Sequence, residues 1–304
     1  MKSAFKRKIE ISKILEYIEI NKDRDETNKL LDKYHSKPKA HVIGITGPPG
    51  VGKSSLINNL IKIFRKNNFS TGVIAIDPSS SRSKGALLGD RARFSVNPKD
   101  HEIYIRSLAA KDALGGISEM TYPCVSVLRS FFDILMVETV GVGQSEISIE
   151  NVADSIIFCV QPGSGDTLQF MKSGIIEIPD IICVTKSDLT NLSNNTMADL
   201  NSSKKYLSGS FDWELKIVSI SSDKKTGFDK LYKILMDRWN WLVEKNILET
   251  KRYEQEKLWI YNKLKQKIGF NGFELIEKRI NYMSKPFQYC GNILSRIKII
   301  LDSS

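Results

Sequence analysis

Val42-Ile43-Gly44-Ile45-Thr46 runs straight into Gly47-Pro48-Pro49-Gly50-Val51-Gly52-Lys53-Ser54. The first run is apolar on both of its faces, the pattern of a strand covered on each side. The second run matches the phosphate-binding pattern G-x-x-x-x-G-K-[S/T] in full. Ser55 to about Lys66 then continues at helical period. Strand, glycine loop and helix in this order are the context the pattern needs: the loop's N–H groups turn inward around phosphate oxygens, and the helix N-terminus adds its dipole. Lys53 is expected to reach the β- and γ-phosphates and Ser54 to offer its hydroxyl to magnesium. Gly47, Pro48, Pro49, Gly50, Val51, Gly52, Lys53, Ser54 and Ser55 are therefore expected to bind the nucleotide.

Beyond this segment the pattern repeats. Val73–Ile76, Ile134–Val137, Ile156–Val160, Ile181–Val184 and Ile217–Ile220 are further short apolar runs separated by helical stretches. An α/β fold follows, a mostly parallel sheet with helices on both faces, whose ligand should lie outside the carboxyl ends of the strands. The motif residues fall there. Asp77 follows the second run and Glu138 the third, both placed to hold magnesium through oxygen ligands. Glu138-Thr139-Val140-Gly141 has the form of a D-x-x-G switch with Glu for Asp, in which the Gly141 amide would sense the γ-phosphate. Gln144 is a candidate to orient the attacking water, which groups it with Lys53 and Glu138 as catalytic.

Thr185-Lys186-Ser187-Asp188 follows the fifth run and has the [N/T]-K-x-D form that reads guanine. Asp188 can accept from N1–H and the 2-amino group of guanine together. Adenine offers a lone pair at N1 and no amino group, so the carboxylate would lose both bonds. Lys186 would lay its stem along the base, and Ser221 and Ser222, after the last run, would back it.

Flanking the sheet region 41–235 are two helical segments. In residues 1–40, Ile9, Ile11, Ile14, Leu15 and Ile18 recur at helical spacing before a polar break at Asn21–Glu26. In residues 236–304, Leu258, Tyr261, Leu264 and Ile268 predict an apolar helix stripe, with Trp239, Trp241 and Trp259 adding area; this arm packs either on a second subunit or on its own domain. The 304 residues carry 45 Lys+Arg against 35 Asp+Glu, a net charge of +10 spread without a dense basic run, which reads as a solvated lysine-rich surface. No aromatic-interleaved basic platform points to nucleic acid. Cys124, Cys159, Cys183 and Cys290 form no C-x-x-C pair, and His35, His41 and His101 have no ligand spacing, which argues against zinc or nickel. No apolar run is long enough to span a membrane and no secretory signal is evident, so a cytoplasmic location is expected.

Several longer runs carry a resemblance. Ile76-Asp77-Pro78-Ser79-Ser80, Leu88-Gly89-Asp90, Leu114-Gly115-Gly116, the block Val137 to Glu146 and Pro162-Gly163-Ser164-Gly165-Asp166 with Gln169 and Lys172 resemble the MeaB/ArgK/MMAA-type GTPases over about residues 40–245. The resemblance implies a P-loop GTPase with GTP/GDP and Mg2+ as its ligands, acting as chaperone to an adenosylcobalamin-dependent acyl-CoA mutase, typically methylmalonyl-CoA mutase, and forming a homodimer. It places Ser54, Asp77, Asp90 and Glu138 in the magnesium and switch shell. It makes Gly163, Asp166, Gln169 and Lys172 part of an extra switch facing the partner. The sequence departs from the family at Thr185, where Asn is usual, at Ser83-Lys84-Gly85, at Arg91 and at Arg106 to Ala110. Slow intrinsic turnover is expected, with Arg82, Arg91 and Arg106 as candidate arginine fingers. The alternative readings are a nucleotide-dependent kinase or ATPase linked to basic amino-acid transport, and a GTPase serving another partner.

Overall fold

The computed structural model describes residues 2–78, 94–97, 99–110, 119–139, 148–163, 178–203 and 212–302. The elements are α1 (Lys2–Ile20), α2 (Asp25–His35), β1 (His41–Thr46), α3 (Lys53–Lys66), β2 (Thr71–Pro78), β3 (Ile103–Ala110), α4 (Thr121–Phe131), β4 (Ile134–Glu138), β5 (Ser155–Val160), β6 (Ile181–Val184), α5 (Thr190–Ser203), β7 (Lys216–Ser219), α6 (Phe228–Glu244), α7 (Ile247–Glu277) and α8 (Pro286–Asp302). The strands form one sheet of seven, in the order β3-β2-β4-β1-β5-β6-β7, and every pairing is parallel. Among the described residues no helix is long and apolar enough to cross a membrane.

Six of these strands coincide with the apolar runs. The seventh, β3, was not expected. Among the described residues it is an edge strand paired with β2 alone, and its run Ile103-Tyr104-Ile105-Arg106-Ser107 is broken by Arg106, whose partner is Glu19 of α1. Along β1 successive side chains point to opposite faces, as pleating requires. Val42 joins the core under α1, α2, α4 and α8, while Ile43 and Ile45 join the core under α3 and α6. Both faces are filled, which is why the strands read as continuous apolar runs.

The terminal helices share this core. Ile11, Leu15 and Ile18 of α1, Leu31 of α2 and Phe287 of α8 are buried in one cluster with Val42 and Leu135. Asp32 of α2 accepts the N–H groups of Phe287 and Gln288 at 3.2 and 2.9 Å, capping the first turn of α8 from outside its own chain segment. Of the stripe expected on α7, Leu264 is buried with Ile260 and Phe273, and Tyr261 and Ile268 pack against that cluster, while Leu258 is exposed; the expectation left out Arg252, Gln255 and Lys263, which also face inward. The reason lies beneath α7: it crosses the amino ends of the strands, where its partners are carboxylates and carbonyls.

Candidate functional site

The loop after β1 must close on itself at the sheet's carboxyl edge, and the backbone shows the constraint. Gly47 has φ +136°, and a Cβ there would lie 2.4 Å from the carbonyl oxygen of Cys159 on β5. Only glycine lets the loop sit this tightly on the neighbouring strand. Gly52, with φ +102°, then turns the chain into α3, whose first residue is Lys53. The Lys53 side chain is buried, and its ammonium donates to the carbonyl oxygens of Gly47 (2.7 Å) and Pro48 (3.0 Å), so it points back over the loop that a phosphate would fill. Val51 is buried, while Ser55, in the first turn of α3, is exposed.

Register brings the acidic residues alongside. Glu138 ends β4 opposite Ile45 of β1 and Ala75 of β2, and the Asp77 backbone lies two residues further toward the carboxyl edge on β2. The Ser54 hydroxyl donates to Glu138 Oε1 at 2.9 Å. Residues 84 apart in sequence thus place a hydroxyl and a buried carboxylate oxygen side by side at the mouth of the loop. These hard oxygen donors suit magnesium, which takes one or two protein ligands and keeps several waters. Among the described residues no three His, Cys, Asp or Glu side chains gather into a larger metal-binding group. The residue after Glu138, Thr139, donates from its hydroxyl to Thr46 Oγ1 (2.8 Å), and its N–H reaches Ile45 O (3.1 Å). This buried link locks the switch strand to the strand that launches the loop, and the motif reading did not pick it out.

The Thr185-Lys186-Ser187-Asp188 segment closes the other side. Thr185, buried at the end of β6, donates to Val51 O at 2.7 Å and lies 3.1 Å from Val160 O, bridging the phosphate loop and β5. Lys186 has φ +49°, a left-handed conformation uncommon for a long side chain. Its ammonium donates to Gly50 O (3.0 Å) and Gln161 Oε1 (2.8 Å). Asp188 is half-buried, and Ser221 donates to its Oδ1 at 2.7 Å; this hydrogen bond holds the carboxyl below its ordinary pKa. Ser221 is itself fixed by the Lys224 N–H and by a two-way backbone bridge with Thr226. Ser222 is half-buried beside it.

Two expectations need correction or placement. Arg106 is no arginine finger here: it lies in β3 opposite Ile74, and its guanidinium pairs with Glu19 of α1 at 2.6 Å, drawn to the helix-covered side by that carboxylate. Gly163 has φ +72°, and its N–H points to Thr196 Oγ1 of α5 at 3.4 Å. Arg82, Asp90, Arg91, Gly141, Gln144, Asp166, Gln169 and Lys172 lie outside the described residues, as does the Asp77 side chain. Gln161, which holds Lys186, was missed; its one signal is its place directly after β5, at the root of the Pro162-Gly163 turn.

The comparisons with known proteins agree with this geometry. A family model described as methylmalonyl Co-A mutase-associated GTPase MeaB matches residues 11–272. A Pyrococcus abyssi protein whose name proposes a GTPase is 37% identical over 240 residues, covering 77% of this chain and 73% of its own. The mitochondrial methylmalonic aciduria type A homolog of Mus musculus is 33% identical over 236 residues, 76% of this chain and 57% of its own. Among solved structures, one named LAO/AO transport system kinase superposes with a TM-score of 0.68 over 88% of this chain and 84% of that one, at 22% identity, a likeness of fold.

Proposed function

The chain is a member of the MeaB family of P-loop GTPases, and from that premise we propose that it hydrolyses GTP with Mg2+ as chaperone and gatekeeper of an adenosylcobalamin-dependent acyl-CoA mutase, methylmalonyl-CoA mutase first among them. The observation that carries the chemistry is the Ser54–Glu138 contact at the loop mouth. Ser54 and Glu138, with Asp77 beyond them on β2, would hold the cation. When bound, Mg2+ neutralises charge on the β- and γ-phosphates. Lys53 exchanges its two carbonyl partners for phosphate oxygens. Asp188, pre-set by Ser221, accepts from the guanine edge. Gln144 orients the attacking water in this reading, and the Gly141 amide follows the γ-phosphate.

The family's association with methylmalonyl-CoA mutase supports the partner, and the segment from Gly163 to Lys172 is the surface we assign to it. A homodimer and a cytoplasmic location belong to the same reading; the mouse relative is mitochondrial, so cell fractionation checks the second. Magnesium-dependent hydrolysis of GTP against ATP, with and without methylmalonyl-CoA mutase, tests the whole. GTP preference with stimulated turnover supports it. GTP preference without stimulation removes the mutase. ATP preference removes the role of Asp188 and restores the transport-kinase reading.

A further inference from the structure

The contact between Lys186 and Gln161 goes beyond what the motifs assign. Lys186 is the residue that would lie along the base, and two features show that its position is imposed. Its backbone has φ +49°, where a side chain with a Cβ carries a local cost. Such a conformation persists when surrounding bonds over-determine it. Here Ser187 N–H donates to Ile220 O at 3.0 Å and Leu189 N–H to Lys186 O at 3.1 Å, while the ammonium is held at 3.0 Å by Gly50 O and at 2.8 Å by Gln161 Oε1. An ammonium can only donate, so the oxygen of the Gln161 amide must face it. A free lysine stem samples many rotamers, and ordering it at the moment of binding costs affinity. With Gly50 and Gln161 holding its tip, that ordering precedes the nucleotide.

We propose that Gln161 is a positioning residue for guanine-nucleotide affinity: its side-chain oxygen holds Lys186 extended across the base site before the base arrives. The inference rests on the assignment of Lys186 to the base. Because the base is common to GTP and GDP, Gln161 acts on both alike. It touches no reacting atom, so turnover at saturation is not its concern. It also roots the Pro162-Gly163 turn, so the chain leaving β5 starts from a side chain tied to the base site.

The test is a double-mutant cycle of Gln161→Leu and Lys186→Ala, reading Kd for fluorescent GDP and a GTP analogue, KM, kcat and melting temperature. Gln161→Leu should raise both Kd values and KM by about three- to tenfold, the scale of an ordinary net hydrogen bond, since water screens this exposed contact, with kcat and melting temperature held. Gln161→Glu, which keeps an acceptor, should restore affinity. In the Lys186→Ala background Gln161→Leu should change nothing further, since coupled residues do not add. If Lys186→Ala weakens binding and Gln161→Leu does not, or if the two effects add, the proposal fails and base reading stands. If Gln161→Leu lowers kcat and melting temperature together, its role is structural and the proposal also fails. If Lys186→Ala leaves both Kd values unchanged, the base assignment itself is wrong, and the proposal goes with it.

Discussion

The two edges of the sheet use charge in opposite ways. At the carboxyl edge Asp188 is half-buried beside the Ser221 hydroxyl, and the Ser54 hydroxyl meets the buried Glu138 carboxylate beside the glycine loop. At the amino edge the same residue types are sealed by the chain. Asp154, just before β5, accepts from Arg252 Nε and Nη2 at 2.9 and 2.7 Å and from the Val42 N–H at 2.8 Å. Asp180, just before β6, pairs with Arg238 at 2.7 Å and accepts the Ile156 N–H at 2.9 Å. Arg238 lies against both Trp213 and Trp241, its guanidinium 4.9 and 4.6 Å from their ring centroids. Both edges carry carboxylates at strand ends, and their position alone does not tell ligand site from clamp. What separates them is the kind of partner: Ser54 and Ser221 meet Glu138 and Asp188 with neutral hydroxyls, whereas Arg252 and Arg238 meet Asp154 and Asp180 with guanidinium groups.

Arg252→Met breaks the clamp at its centre. Removing one member of a buried pair leaves the Asp154 carboxylate without its main counter-charge, a loss of about 3–5 kcal/mol of stability, measured by urea unfolding. Asp154→Leu in the same chain should recover part of it, because an apolar pair avoids the stranded charge. A loss below about 1 kcal/mol would mean that water reaches Asp154 and that the two edges differ less than their burial suggests.

Removing charge at the other edge should leave folding untouched and change recognition. Asp188→Asn replaces one acceptor oxygen by an N–H2 donor that faces the guanine 2-amino group. GTP should weaken by at least about tenfold, and xanthosine triphosphate, with a carbonyl at that position, should gain over GTP. Equal loss of both nucleotides, or a lowered melting temperature, would make Asp188 part of the architecture.

The sequence carried unequal information about these edges. The carboxyl edge was legible because its loops follow fixed local spacings, as in Gly47 to Ser54 and Thr185 to Asp188, the spacings that the proposed phosphate and base recognition would need. The clamp has no local spacing: Asp154 and Arg252 are 98 residues apart, and only the path of α7 brings them together. The same path hid the polar part of the inner face of α7, since a helix crossing a polar edge turns Arg252 and Gln255 inward and leaves Leu258 outside, while Leu264 of the expected stripe is buried. Thr139 was legible as part of a motif but not as a bond to Thr46, which requires the register of β1 against β4.

Acid should attack the amino edge first. His41 opens β1, stacks on Trp239 at 4.8 Å and shares a 2.7 Å hydrogen bond with Ser155 Oγ. Burial, aided by Arg252, Arg238 and Lys251 and opposed by Asp154, lowers its pKa from 6.5 to about 3. Between those values the unfolded chain binds the proton and the folded one does not, so stability falls as pH falls. Linkage gives a loss of about 2 kcal/mol between pH 7.5 and pH 5 from this group alone. The depressed carboxyl of Asp154, held down against its burial by Arg252, adds loss of the same sign only below about pH 5, where unfolded Asp starts to protonate. A His41→Gln chain should therefore have a flatter stability profile between pH 5 and 7 whatever its absolute stability; an unchanged slope would place the acid sensitivity elsewhere.

Thr185 is the point where the open edge borrows the method of the closed one. Its buried hydroxyl donates to Val51 O and lies near Val160 O, a bond wholly within the chain inside a site otherwise built for a ligand. Thr185→Val keeps the shape and removes the hydroxyl, leaving the Val51 carbonyl with one partner fewer. The cost should be about 1 kcal/mol of stability, small beside Arg252→Met. Nucleotide affinity should fall by a similar factor, about fivefold, because the same bond sets the distance from the base-reading strand to the phosphate loop. Thr185→Asn, which can still donate, should recover affinity. If the valine chain lost stability and bound GTP as before, Thr185 would belong with Asp154 and Asp180 as architecture, and the boundary between the two edges would run through β6 itself.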